Sequence, residues 1–406
     1  MIEAPRRPDP VLFGVPLLLS VVSLVLVYSA SSILGITTYE DPYYFLFRRS
    51  IHLVIGLVAF FALARADLDR LIDKHAGRLF LGVLVLLGLL AFAHGVSSRG
   101  ARRWVGLFGA TFQPTEIARV VVVLFLARYL ARRGEAIRSL AAGFLPALAV
   151  GAAAVVLIAL QPNLSSAGVL FGVVLAMLFF AGARPIHLIG VCGLGAVGFL
   201  GMLATHDYQR GRVSSFLSFL FTGKLDALGS GWQLDQSLIA LGSGGLFGRG
   251  YGRSLQKFLY LPDPHTDFIV AIIGEEGGFV ATALLVVALV AYLARGFRTA
   301  FRAGDDRSFL VAAGLTTQFA AYAFVNLGVA TGLFPTTGLP LPFVSYGGSA
   351  LVMNLAAAGM LVNLSARHEG SRAAAVTPRG QAGRGRGRAL AFGGAVGARG
   401  FTGGRR

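Results

Sequence analysis

The chain has 406 residues, 55% of them hydrophobic and 14% charged, with a formal net charge of +17 and a mean hydropathy of +0.71. So much apolar surface cannot be hidden in one soluble core, which excludes an ordinary globular enzyme and points to a polytopic membrane protein. The lone cysteine, Cys192, excludes an internal disulfide and reads as packing.

Ten apolar runs approach the ~20 residues needed to cross about 30 Å of hydrocarbon. They lie near 11–31, 50–66, 78–95, 115–131, 143–161, 165–182, 186–204, 267–294, 309–332 and 341–365. The predicted class is all-α, with ten transmembrane helices. The first run follows Arg6 and Arg7, exceeds the length of a removable signal peptide and is expected to be retained. Placing the N-terminus inside puts 24 Lys and Arg on the cytoplasmic side and 11 outside, with Arg119 within a helix. That asymmetry predicts both termini cytoplasmic and outward loops near 32–49, 94–114, 162–165, 205–266 and 333–341.

The first unusual outward segment is GARRWVGLFGATFQPTE, residues 100–116. Pro114 suits a helix start, and Glu116 in the first turn complements the positive end of the helix dipole. Capping alone would account for Glu116. Arg119, three residues on, shares its face, and an arginine inside a span calls for a partner, so a structural pair beside a site is expected. Gln161-Pro162-Asn163-Leu164-Ser165-Ser166 follows as a tight reversal at the same depth, with Asn163 or a serine able to cap the next helix.

The outward stretch 205–266 is too long for a structureless loop in a compact domain. Within it, WQLDQSLIALGSGGLFGRGYG (232–252) reads as a short amphipathic or re-entrant helix and then glycine-rich backbone. Such glycines either cradle a phosphate with Arg249, Arg253 and Lys257 nearby, or simply turn. YLPDPHTDFIVAIIGEEG (260–277) then sets His265, Asp267, Glu275 and Glu276 at the mouth of an apolar helix. Carboxylates there persist where they pair, line a wet cavity or do chemistry. Residues 326–351, with three prolines and several glycines, read as a broken helix pair around a cavity into which Ser345, Tyr346 and Ser349 project hydroxyls. Residues 367–406 carry GRGRGR at 383–388 and almost no acid, and are expected to be a disordered basic tail facing the anionic inner leaflet rather than nucleic acid. No Walker A loop or His/Cys metal spacing occurs, so no nucleotide is expected.

GARRW…FQPTE, WQLDQSLIALGSGGLFGRG, LPDPHTDFIVAIIGEEG and TGLPLPFVSYGGS, in this order across residues 10–366, resemble the SEDS family of bacterial membrane glycosyltransferases. The resemblance implies a ten-helix domain over 11–366, flanked by the cytoplasmic segment 1–10 and the tail. It implies polymerisation of lipid II, a polyprenyl-linked disaccharide, into peptidoglycan strands outside the cytoplasmic (inner) membrane, with a class B penicillin-binding protein as cross-linking partner and other division or elongation proteins nearby. QKFLYLPDPHTDFI and NLGVATGLFPTTGLPLPF look closer to the FtsW-like division branch, at the septum, than to the RodA-like elongation or the sporulation branch. The family's extracellular aspartate falls on Asp267, and its Trp, Glu and Lys on Trp104, Glu116 and, substituted, Arg119. Its acidic residue at the QPD turn is Asn163 here, so its Lys/Asp ion pair becomes Arg119 and a neutral amide able to keep one polar contact.

In that chemistry Asp267 is the candidate base for a sugar hydroxyl. Arg102, Arg103, Arg249 and Lys257 are the cations available to the leaving pyrophosphate. Asp267 is alternatively a ligand for Mg²⁺ or Mn²⁺. A transporter or lipid flippase is the alternative class, because broken helices also suit alternating access. A scaffold that only recruits division proteins is a third.

Overall fold

The computed structural model describes residues 8–92, 104–107, 110–205, 207–223 and 230–376. In chain order the helices are α1 (Pro10–Tyr39), α2 (Tyr44–Arg65), α3 (Leu68–Phe92), α4 (Pro114–Arg133), α5 (Leu140–Ala159), α6 (Leu164–Phe180), α7 (Pro185–Thr205), α8 (Asp207–Thr222), α9 (Ser230–Ser243), α10 (Ile269–Phe301), α11 (Asp306–Ala330) and α12 (Gly348–Val376). A helix lies over each of the ten apolar runs. Eight of the described helices are long and apolar enough to cross a membrane, and the chain is a predominantly helical multi-pass membrane protein. The other two, α4 and α6, fall short for identifiable reasons. Glu116, Arg119 and Arg128 lower the hydropathy of α4, and α6 has only 17 residues.

Three expectations change. A two-stranded antiparallel hairpin, β1 (Val105–Leu107) and β2 (Ala110–Phe112), pairs Val105 with Phe112 ahead of α4, so the fold is not purely helical. The stretch 205–266 contains α8 in addition to the expected short helix, which is α9. The last helix runs to Val376, ten residues past the boundary expected for the tail. The remainder of that tail, 377–406, lies outside the described residues.

Side-chain bonds fix the helix ends at the N-terminal end of α1. Asp9 caps α1, accepting from the Val11 and Leu12 N–H groups, and pairs with Arg295 of α10 at 2.7 Å. Asp69 and Asp73 at the start of α3 hold Arg367 of α12 and Arg307 of α11, each through a 2.7 Å contact. Asn363 of α12 donates to the Leu63 and Ala66 carbonyls that end α2. The α2 and α12 axes approach closely because Gly56 and Gly359 face the partner helix. A Cβ at Gly359 would overlap the Phe60 carbonyl, the small-residue packing expected where hydrocarbon gives helices no hydrophobic reason to associate.

At the other end α10 is broken. Gly278 has φ 70° and ψ −166°, a conformation essentially reserved for glycine. The groups freed by the break are taken up by the glycine-rich turn after α9. Phe279 and Val280 N–H donate to the Gly245 and Leu246 carbonyls, while Arg249 and Gly250 N–H donate to the Glu275 and Glu276 carbonyls. These glycines therefore serve close backbone approach, and the Arg249 and Gly250 amides are not available as a phosphate cradle. Tyr251 O–H donates to the carbonyl of Val25, well inside α1 rather than at its end. Burial, with the Glu276 charge added, raises that phenol above its ordinary value and keeps it a donor. The segment thus folds back against α1 and α10, with its backbone bonds met by protein.

Candidate functional site

The HTDF segment lies between the Pro/Gly-rich turn of 331–347 and the N-terminal end of α2. Asp267 is half-buried. Its backbone carbonyl accepts from Asn326 Nδ2 at 3.0 Å, and the same amide donates to the Leu339 carbonyl at 2.7 Å, so one α11 side chain joins the two segments. Gly338 has φ 76°, and a Cβ there would come within 3.5 Å of Asp267 Oδ2. Glycine thereby leaves room beside the carboxylate. His265 is buried, its ring set 4.8 Å from Phe45 and 5.3 Å from Tyr346, and its carbonyl accepts from Tyr346 N–H at 2.8 Å. It acts on the shape of the turn through packing.

Ser345 was expected to offer its hydroxyl to a cavity. Instead Ser345 Oγ accepts from Leu341 N–H at 2.9 Å, closing its own turn, and Ser349 Oγ accepts from Gln113 N–H at 3.1 Å, tying α12 to the start of α4. Trp104 stands half-buried just ahead of β1. Arg102 and Arg103 lie outside the described residues.

The expected Glu116–Arg119 pair is present: Nη2 to Oε2 is 2.7 Å, with the two side chains 2% and 3% exposed. Arg119 also donates to Asn354 Oδ1 at 2.6 Å and lies over the Tyr322 ring at 4.5 Å. Asn163 is not one of its partners. The Asn163 Nδ2 and the Arg119 Nε and Nη1 are all buried without a hydrogen bond, and Asn163, although it begins α6, makes no side-chain cap. The polar contact expected between positions 119 and 163 is therefore replaced by one within α4.

Lys257 likewise differs from expectation. It is 6% exposed, pairs with Glu276 at 3.6 Å and donates to the Gly252 carbonyl, so its charge is committed to holding the folded-back segment. Glu276 also accepts from Ser29 Oγ of α1 at 2.6 Å. Glu275 takes the Leu255 N–H at 2.9 Å and pairs with Arg249 at 3.3 Å. The two glutamates hold the returning strand of the loop.

Sequence reading missed Arg212, on α8. Its Nη1 donates to the Thr336 carbonyl at 3.1 Å, two residues from the glycine beside Asp267. Arg212, Gln209 and Thr337 form the polar end of a cavity of about 830 Å³ whose remaining walls include Val155, Phe171 and Phe324. One wall is α7, a helix with no buried residue. Its only signal was an arginine within an otherwise unassigned outward stretch. Among the described residues no three His, Cys, Asp or Glu side chains come together as a metal site. A divalent ion at Asp267 would need most of its oxygens from elsewhere.

Residues 10–370 match the family model of the FtsW, RodA and SpoVE cell cycle proteins. The chain belongs to this family. Its FtsW/RodA/SpoVE relatives include stage V sporulation protein E of Bacillus subtilis, 38% identical over 88% of this chain and 97% of that protein. The probable peptidoglycan glycosyltransferase FtsW of Geobacter metallireducens is 36% identical over 90% and 96%. Among solved structures, a peptidoglycan synthase complex that coordinates polymerisation and cross-linking contains a chain 30% identical, with a TM-score of 0.71 over 89% of this chain and 98% of that one. The rod shape determining protein RodA of Thermus thermophilus is 31% identical, with a TM-score of 0.65 over 89% and 97%.

Proposed function

We propose that this chain is a peptidoglycan glycosyltransferase that polymerises lipid II on the outer face of the bacterial inner membrane through ten spans, with both termini cytoplasmic. The observation that carries the reading is one juxtaposition. A carboxylate, Asp267, lies beside a glycine-lined gap in the 331–347 turn, and that turn also meets Arg212 at the polar end of a long apolar cavity. A lipid-linked disaccharide diphosphate has matching parts: a prenyl chain for the apolar walls, a diphosphate for the guanidinium, and a sugar at the mouth. Asp267 takes the proton of the acceptor 4-hydroxyl as its oxygen bonds the donor anomeric carbon, and the bond from that carbon to the diphosphate breaks. Arg212, with Arg102 and Arg103 in reserve, offsets the departing charge. A Mg²⁺ or Mn²⁺ ion would have Asp267 as its protein ligand and would add to that neutralisation.

The FtsW-named relatives favour septal synthesis over an elongation role, and the neighbouring synthase complex favours a class B penicillin-binding protein as partner. The test is full-length protein in nanodiscs supplied with lipid II. Asp267→Asn is expected to lower polymer formation by about 10² to 10⁴ while the protein stays folded and membrane-inserted. Rescue by raised Mn²⁺ would assign Asp267 to the metal instead of the proton. Near wild-type polymerisation by Asp267→Asn refutes the reading, and equilibration of lipid II across vesicles without polymer indicates a flippase.

A further inference from the structure

Arg49 of α2 is 1% exposed and forms no ion pair with a carboxylate among the described residues. A buried cation without a counter-ion is costly to desolvate and needs strong acceptors in compensation. Its acceptors are four oxygens. Nη1 donates to the Ser345 carbonyl at 2.7 Å, and Nη2 to the Phe343 carbonyl at 2.8 Å, the Val344 carbonyl at 3.3 Å and Ser23 Oγ at 2.8 Å. Nε also reaches Ser23 Oγ, at 3.2 Å. Three consecutive carbonyls of one turn thus converge on one guanidinium.

That turn is strained. Phe343 holds φ 67°, a conformation that a non-glycine residue keeps only where the surroundings over-determine it. Packing of its ring against Phe319 and Tyr292, at 5.2 and 5.5 Å, supplies part of the constraint, and Arg49 grips the carbonyl of the strained residue itself. Tyr346, three residues on, donates its backbone N–H to the His265 carbonyl. Phe45, one turn before Arg49 on α2, packs against both the His265 and Tyr346 rings. Asn326 and Gly338 then connect the same turn to Asp267.

We propose that Arg49 is a positioning residue for the Asp267 carboxylate. It holds the inward-turned carbonyls of 343–345, and through Tyr346 and His265 it sets the register of the HTDF segment against the gap at Gly338. The catalytic part of this inference rests on the reading of Asp267 as the base. The guanidinium fork is essential, because a lysine is a single point charge with three donors and cannot span from Ser23 to three carbonyls.

The experiment compares full-length wild type, Arg49→Lys, Arg49→Met and Asp267→Asn in nanodiscs, with lipid II turnover and backbone hydrogen exchange measured on the same preparations. Arg49→Lys keeps the charge and is the informative variant if Arg49→Met does not fold. Displacement of a reacting group by about 1 Å can cost ~10²-fold in rate, so Arg49→Lys is expected to lower kcat by about 10- to 10²-fold with little change in KM. Exchange should rise in 338–347 and 263–268 and stay unchanged in α4 and α6. Arg49→Lys with wild-type kcat overturns the proposal, as does a general loss of protection across the bundle with full turnover in the surviving folded fraction. The exchange pattern does not depend on activity. If Asp267→Asn still polymerises, the base reading fails while the clamp on the turn is judged by exchange alone. If Asp267→Asn is inactive and Arg49→Lys is normal in both measurements, only the Arg49 inference fails.

Discussion

Replacing Arg119 by methionine removes a cation that is 2% exposed and leaves the 3%-exposed Glu116 carboxylate without its only ion-pair partner among the described residues. An ordinary interhelical hydrogen bond in a membrane averages only about 0.6 kcal/mol, so loss of the Asn354 contact alone would scarcely register. Abandoning one member of a buried ion pair costs about 3–5 kcal/mol, because the remaining charge is still desolvated. The second effect dominates, and at ~1.4 kcal/mol per decade it corresponds to a fall of about 10² to 10⁴ in the folded-to-unfolded ratio. The double variant Glu116→Gln/Arg119→Met removes both charges and should recover most of that loss. Arg119→Lys should lie near wild type in charge but lose the planar contact with Tyr322. The assay is reversible unfolding by a denaturing detergent, followed by intrinsic fluorescence, with the coupling read from the full cycle. A single-variant loss below about 1 kcal/mol, the value of an exposed pair, would refute the argument that the pair is a desolvated element of the core. So would a double variant no more stable than Arg119→Met.

Gly278→Ala should destabilise by at least the ~1–3 kcal/mol of its glycine-only conformation, since its Cβ would also overlap the Leu246 carbonyl. Unchanged unfolding would mean that the α10 break can straighten. Lys257→Met should reduce stability by about 3 kcal/mol through the stranded Glu276, while turnover by the folded fraction is unaffected. Lowered kcat at full stability would instead make Lys257 a substrate ligand. In a Cys192→Ser background, a cysteine at Thr337 should react with an impermeant thiol reagent added from outside, and one at Ser139 should not. The reverse pattern would place Asp267 in the cytoplasm.

Hydrophobic run length and four motifs in register were enough to read a multi-pass helical membrane protein of this family. Those signals are local, because hydrocarbon demands satisfied backbone and about 20 apolar residues wherever a helix crosses. The Glu116–Arg119 pair was legible for the same reason: three residues along one helix fix neighbours whatever the fold. Partners joined across distant sequence were not. Only the folded bundle decided that Arg119 answers to Asn354 and Tyr322 rather than Asn163, and that Lys257 is spent on Glu276. It alone turned the glycines of 244–250 to a broken helix instead of a phosphate, and gave Arg49 three carbonyls from a turn almost 300 residues away. Side-chain identity sets which bonds a residue can make, but which of them it makes depends on what burial leaves within about 3 Å, and that distance is a property of the assembled helices.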